Sequence, residues 1–246
     1  MRVFDMLVDE RRQMANLLES LTADQLAQPS LCTEWTVHDV AAHLVTYLRF
    51  GQAKIYFGIV AYAADFDRLN VMLTRRAARR PSHEIIALLR RRAGARTTIP
   101  RSGYDPVLTD ILLHDLDIRI PLGIQRDTPE ERLRVAFHHL AVEPSPGYRM
   151  LSRLAGLRLQ ATDTGWVHGV GPLVRGPADT LLLGMGGRVV AIDQLDGDGV
   201  PLLRARVTTA PPLRPLQRLM LPLDVLLRPP PPDRRSRRAV EPTRPG

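Results

Sequence analysis

Apolar positions recur with a helical period from the first residues of the chain. Phe4, Leu7, Val8, Met14, Leu17, Leu18 and Leu21, with Arg11 set among them, form one stripe and predict an amphipathic helix over 4–21. "TADQ" at 22–25 and "TVHD" at 36–39 have the form of capping boxes, so each predicts a helix start. The helix after Thr36 reads "VHDVAAHLVTYLRFGQAKIYF", long and mostly apolar. Further helices are predicted over 64–78 and over 82–94 with Ser82 as cap. Asp105 as cap and Pro106 at the first helical position open another, ended by Pro121 and Gly123. "DTPEERLRVAFHHLAV" follows, with Thr128 as cap. Helices with short connections argue for a bundle.

The period changes near residue 156. "GLRLQATD" alternates, "GWVHGVG" is a short glycine-bounded piece, and "GPADTLLLGMGG" reads as a helix. "VVAIDQLDGDGVPLLRARV" reads as strand, turn and strand, so this part predicts a small α+β unit. The stretch 211–227 is apolar but broken by Pro215 and Pro222, and carries no clear assignment.

One helix breaks the simple pattern. In "DILLHDLDI" at 110–118, about 100° per residue puts His114 about 40° from Asp110 and Asp117 about 20° from it on the other side. Leucine and isoleucine cover most of the remaining circumference, Asp115 excepted. A helix apolar nearly all round is buried, and a buried carboxylate must be paired or bound to a metal. Asp and His four apart on one face offer a divalent cation two ligands. An Asp–His hydrogen bond, or Asp110 paired with an arginine, satisfies the same pattern. His43 in "DVAAHLV" is a second inward polar group, on another helix, and facing helices of a bundle are where such sites are built. Two imidazoles and one carboxylate leave coordination positions open, as catalytic metals do.

Composition narrows the classes. Of 246 residues, 44% are hydrophobic and 24% charged, ordinary for a soluble globular protein. No apolar run is long enough to span a bilayer, and the charged N-terminus lacks a signal-peptide core, so a cytoplasmic protein is expected. The single Cys32 excludes an internal disulfide and an all-cysteine metal site; it reads as a small packing residue. The formal charge of +8 suggests nucleic acid, but the 228–246 tail, with six Arg against Asp233 and Glu241, holds about half of the excess. That Pro/Arg segment cannot pack a core. Lys54 is the one lysine, an arginine bias with no aromatic interleaving, so a nucleic-acid partner is disfavoured.

Three segments carry a family resemblance. "LCTEWTVHDVAAHL" (31–44) resembles the opening signature of the mycothiol-dependent maleylpyruvate isomerase family, within the broader DinB-like metal-binding bundles. "GYDPVLTDILLHDLDIRIPLG" (103–123) is similar to that family's second metal segment. "LQATDTGWVHGVGPLVRGPADTLLLGMGGR" (159–188) with "LDGDGVPLL" (195–203) resembles its C-terminal sterol-carrier-protein-like domain. The likeness spans roughly residues 5–206. It implies a DinB-like four-helix bundle over 1–145 and a small α+β sterol-carrier-protein-like domain over 146–210; beyond it, the Pro/Arg-rich composition of 211–246 predicts a partly disordered tail.

The resemblance also implies one divalent metal, usually zinc, held here by His43, Asp110 and His114. The founding enzyme has Glu where this chain has Asp110, one methylene shorter. Asp117 would orient a ligand imidazole, and Trp35 would anchor the packing ahead of its helix. Mycothiol is the implied thiol cosubstrate, and metal coordination is what deprotonates a thiol at neutral pH. The implied chemistry is cis–trans isomerisation of a small electrophile, or S-transfer to it. Arg204 and Arg206 in "PLLRARV" are candidates for a substrate carboxylate, or else a solvated strand face. A non-catalytic small-molecule or regulatory binding protein on the same bundle is the alternative. The sequence leaves substrate and oligomeric state open.

Overall fold

The computed structural model describes residues 1–49, 66–98, 103–142 and 153–209. Its elements are α1 (Val3–Ser20), α2 (Ala23–Ala27), α3 (Val37–Thr46) running into a 3-10 turn at Tyr47–Arg49, α4 (Phe66–Ala77), α5 (Ser82–Arg91), α6 (Asp105–Arg119) and α7 (Glu130–Val142). Then come β1 (Arg158–Ala161), β2 (Val167–His168), β3 (Leu173–Gly176), α8 (Ala178–Met185), α9 (Val189–Ile192) and α10 (Val200–Thr208). The described residues are thus mostly helical with one small sheet, and all of them fall within one compact unit. The tail expected over 211–246 lies outside the described residues, as does the helix expected beyond Arg49 as far as Asp65.

Both capping boxes form as read. Thr22 accepts from the Gln25 amide and Thr36 from the Asp39 amide, and each partner side chain returns the bond. Other starts shift. Helix α5 begins at Ser82 with Pro81 as cap, because the Ser82 hydroxyl is engaged by His38 Nδ1 at 3.0 Å. Helix α6 begins at Asp105, with Tyr104 as cap and Pro106 inside the first turn, where a missing N–H does no harm.

Helix α1 lies against α5 and α6, and α3 against α4, α5 and α6, so their apolar stripes share one core. Leu7, Met14, Leu18, Val40, Val45, Ile85, Leu89, Leu108 and Ile118 are fully enclosed in it. Helix α6 is buried on almost every side, as its all-round apolar pattern demanded. Asp115, the exception in that pattern, is buried as well, hydrogen-bonded by Arg119 at 2.7 Å and ion-paired with Arg126 at 2.9 Å.

The sheet has the order β2-β1-β3, with β2 antiparallel and β3 parallel to β1. Strand β3 was not visible in the pattern, and the strand–turn–strand expected over 189–207 is instead the helices α9 and α10. Pro201 sits in the first turn of α10, and Leu203 is its single enclosed side chain. The one-sided burial that selects a helix thus rests on one residue, too little to overrule the local alternation of "LLRARV". Gly197, at φ +115°, lies where an added Cβ would come within 2.2 Å of the Leu173 carbonyl, so this corner requires glycine. Helix α8 packs on α6 and α7, which brings the segment that follows it beside the polar strip of α6.

Candidate metal centre

Helices α3 and α6 bring His43, His114 and Asp110 together, with the two imidazole rings edge to face at 4.8 Å. His43 Nε2 lies 3.6 Å from one Asp110 oxygen and His114 Nε2 lies 3.5 Å from the other. These separations are long for hydrogen bonds. They fit ligands sharing one cation, since donors about 2.1 Å from a tetrahedral zinc lie roughly 3.4 Å apart. One ligand atom from each of the three residues falls within 4.8 Å of the others. Both imidazoles are buried, while the Asp110 carboxylate is 34% exposed and opens onto the neighbouring cavity.

The remaining ring nitrogens have partners. His43 Nδ1 is 3.3 Å from the Thr74 hydroxyl and His114 Nδ1 is 2.9 Å from Asp117 Oδ2. A carboxylate only accepts, so His114 donates from Nδ1 to Asp117, and Nε2 is the ring nitrogen that faces Asp110. The donor chemistry, the spacing and the partners behind the rings therefore fit a divalent cation. Burial alone would raise the Asp110 carboxyl, but His114 and then His43 outweigh it and hold it well below the usual carboxylate range. Burial works in the opposite sense on His114, where Asp110 and Asp117 overcome it and push the imidazole well above its ordinary value.

Asp117 is completely enclosed and gathers three neighbours. Besides His114 it accepts from Cys32 Sγ at 3.0 Å, and from Arg188 Nε at 3.0 Å and Nη2 at 2.5 Å. Burial opposes its charge, yet Arg188 leads the interactions that keep it ionised. Cys32 arrives through a tight turn in which Glu34 adopts φ 65° and the Leu31 amide donates to the Asp117 carbonyl. The packing role expected of Cys32 thus misses its polar neighbours, which include His114 Nδ1 at 3.7 Å and Arg188 Nη2 at 3.5 Å. Cys32, His114 and Asp117 also converge as three potential ligands, but the Arg188 guanidinium already supplies the positive charge there.

Trp35 does more than anchor its helix. Its ring lies 5.2 Å from that of His43 and 6.3 Å from that of His114, covering the imidazoles on one side. A cavity of about 840 Å³ adjoins the centre, lined by Trp35, Tyr47, Asp110, His114 and Arg188 among mainly apolar walls. The Tyr47 hydroxyl donates to Asn70, and burial followed by the Asp110 charge raises its pKa. Arg204 and Arg206 are not among the lining residues. Arg204 pairs with Asp193, and Arg206 donates to the Arg153 and Ala155 carbonyls at 2.9 and 2.6 Å. The cation that does reach the centre from the C-terminal part is Arg188, whose only local signal is the glycine pair before it.

Residues 7–102 match the family model described as the mycothiol maleylpyruvate isomerase N-terminal domain. Two solved structures are similar over 80% of this chain and 96% of theirs. One is a histidine-to-alanine mutant of the mycothiol-dependent maleylpyruvate isomerase, at 14% identity and a TM-score of 0.50. The other is that isomerase without the mutation, at 15% identity and a TM-score of 0.49. No match was found among curated protein sequences. The segment containing α1 to α5, His43 included, is therefore similar to the mycothiol maleylpyruvate isomerase N-terminal domain, in line with its signature.

Proposed function

We propose that this protein is a metal-dependent thiol enzyme that uses mycothiol, either isomerising a small electrophile or transferring the thiol's sulfur to it. The carrying observation is the convergence of His43, Asp110 and His114 at the edge of a cavity, with both Nε2 atoms turned toward one carboxylate. The family match over residues 7–102 supports mycothiol as the thiol. On this reading residues 1–145 are a DinB-like four-helix bundle, 146–210 a small sterol-carrier-protein-like unit, and the protein works in the cytoplasm. No described helix is long and apolar enough to cross a membrane.

His43, Asp110 and His114 would hold the divalent cation, and their two nitrogens and one oxygen suit zinc. Bound there, it would supply Lewis acidity that favours a coordinated thiol in its thiolate form. The chain's own residues do the rest. Thr74 and Asp117 fix the ring orientations, and Arg188 keeps Asp117 an acceptor for the His114 Nδ1 proton. Trp35 and the apolar wall limit water around the centre, which strengthens each electrostatic interaction inside it.

The test is metal content followed by turnover. Purified protein should hold about one zinc per chain, lost in His43→Ala and His114→Ala. The loaded protein should act on mycothiol together with one of a panel of electrophiles that includes maleylpyruvate. A chain that takes up no metal, and whose stability ignores chelators, would instead be a non-catalytic binding protein.

A further inference from the structure

Arg11, on α1, lines the same cavity and is 3% exposed. Its Nη1 donates to the carbonyls of Ala93 and Ala95, at 3.0 and 2.7 Å. Its Nε and Nη2 make no hydrogen bond, and no carboxylate pairs with it, among the described residues. Burial depresses its pKa to about 10, which leaves it charged at neutral pH. A buried, half-satisfied guanidinium is expensive to maintain. The other arginine of the lining, Arg188, is already engaged by Asp117.

Taking the thiol-enzyme reading of the metal centre as given, we infer that Arg11 is the anion subsite of this cavity, binding the carboxylate of an electrophile that is an apolar monocarboxylic acid. The Nε–Nη2 edge of a guanidinium matches a planar carboxylate bidentately. One uncommitted cation among the described lining residues accommodates one carboxylate. Leu44, Leu48, Val71, Val107, Ile111 and Val190 give the body of the ligand an apolar wall rather than a second charge partner.

Unreactive probes test this on the full chain stripped with chelator, so that neither turnover nor metal enters. By titration calorimetry, octanoate should bind about tenfold or more tightly than octanamide, the ratio one charge-assisted bidentate pair gives. Octanoate should also bind more tightly than succinate. Arg11→Gln should erase the preference for octanoate over octanamide. Arg11→Lys should keep part of it, and His43→Ala all of it. Mycothiol binding to metal-loaded protein should be the same for wild type and Arg11→Gln, placing the carboxylate on the electrophile.

Equal binding of octanoate and octanamide to the wild type, or no binding of octanoate at millimolar concentration, overturns the inference without any variant. So does tighter binding of succinate, or a mycothiol affinity that falls with Arg11→Gln. A preference that survives Arg11→Gln but vanishes in His43→Ala would move the carboxylate to the metal centre and overturn it as well. Because the probes bind without metal, failure of the zinc test leaves these outcomes readable.

Discussion

Arg188 and Asp117 join through two hydrogen bonds, 3.0 Å from Nε to Oδ1 and 2.5 Å from Nη2 to Oδ2. They lie 71 positions apart in the chain. The pair carries the loop after α8 to the back of a candidate ligand, because the same carboxylate receives the His114 Nδ1 proton. Sequence separation and function are thereby linked: a residue outside the helical bundle holds an imidazole inside it.

Replacing Arg188 with Met should therefore act at two levels. It leaves a fully enclosed carboxylate with only His114 and Cys32, and truncating one partner of such a pair costs about 3 kcal/mol. Zinc affinity should fall about 10–100-fold, as it does when the group behind a ligand histidine is removed. Urea unfolding and competition with a chromogenic chelator measure the two effects separately. An unchanged zinc affinity would mean that Asp117 does not orient His114.

Asp110 stands between two Nε2 atoms, at 3.6 and 3.5 Å, so its charge matters as much as its reach. Asp110→Asn preserves shape and removes the charge, and should lose metal at stoichiometric loading, read by elemental analysis. Asp110→Glu, which restores the charge on a side chain one methylene longer, should retain it, because the carboxylate faces a cavity with room for that methylene. Loss of metal in both variants would show that the separation across the carboxylate, rather than its charge, limits binding.

The three candidate ligands were legible because they sit on helices whose period converts position into direction. Asp110, His114 and Asp117 fall on one strip by arithmetic alone, and His43 faces inward by the same reasoning. Arg188 and Cys32 were not legible as parts of the site. Each approaches Asp117 from an irregular segment, and no periodicity relates residue 32 or residue 188 to residue 117. Arg11 shows the converse: its place in the apolar stripe of α1 was visible, but what it faces depends on how α1 packs. In α10 only one leucine is enclosed, so no apolar stripe marked the helix and the alternation in "LLRARV" misled. Capping boxes were read correctly because they are complete within four residues.

The second buried charge cluster should prove structural. Glu10 on α1 is 1% exposed and pairs with both Arg126 and Arg132, tying α1 to the segment around α7. Glu10→Ala removes one carboxylate from two largely buried guanidinium groups but leaves Arg126 with Asp115 and Arg132 with Asp9, so the expected loss in urea unfolding is below the about 3–5 kcal/mol of a fully stranded charge. Zinc stoichiometry of the folded fraction should not change, since none of these side chains touches His43, Asp110 or His114.

Asp9, beside this cluster, makes the stability of the fold depend on acid. The hydrogen bond from Arg132 is the largest of the influences on its carboxyl, and it lowers the pKa from an ordinary 3.8. A carboxyl with a depressed pKa in the folded state binds fewer protons there than in the unfolded chain. Its contribution is therefore complete above the ordinary value and disappears as pH falls through the folded one. The advantage of wild type over Asp9→Asn in urea midpoint should be flat from neutral pH down to about pH 5, then shrink below about pH 4. The effect should be small, because Asp9 is 46% exposed and water screens the pair. An advantage that instead grew on acidification would mean that the Arg132 contact does not hold Asp9 ionised.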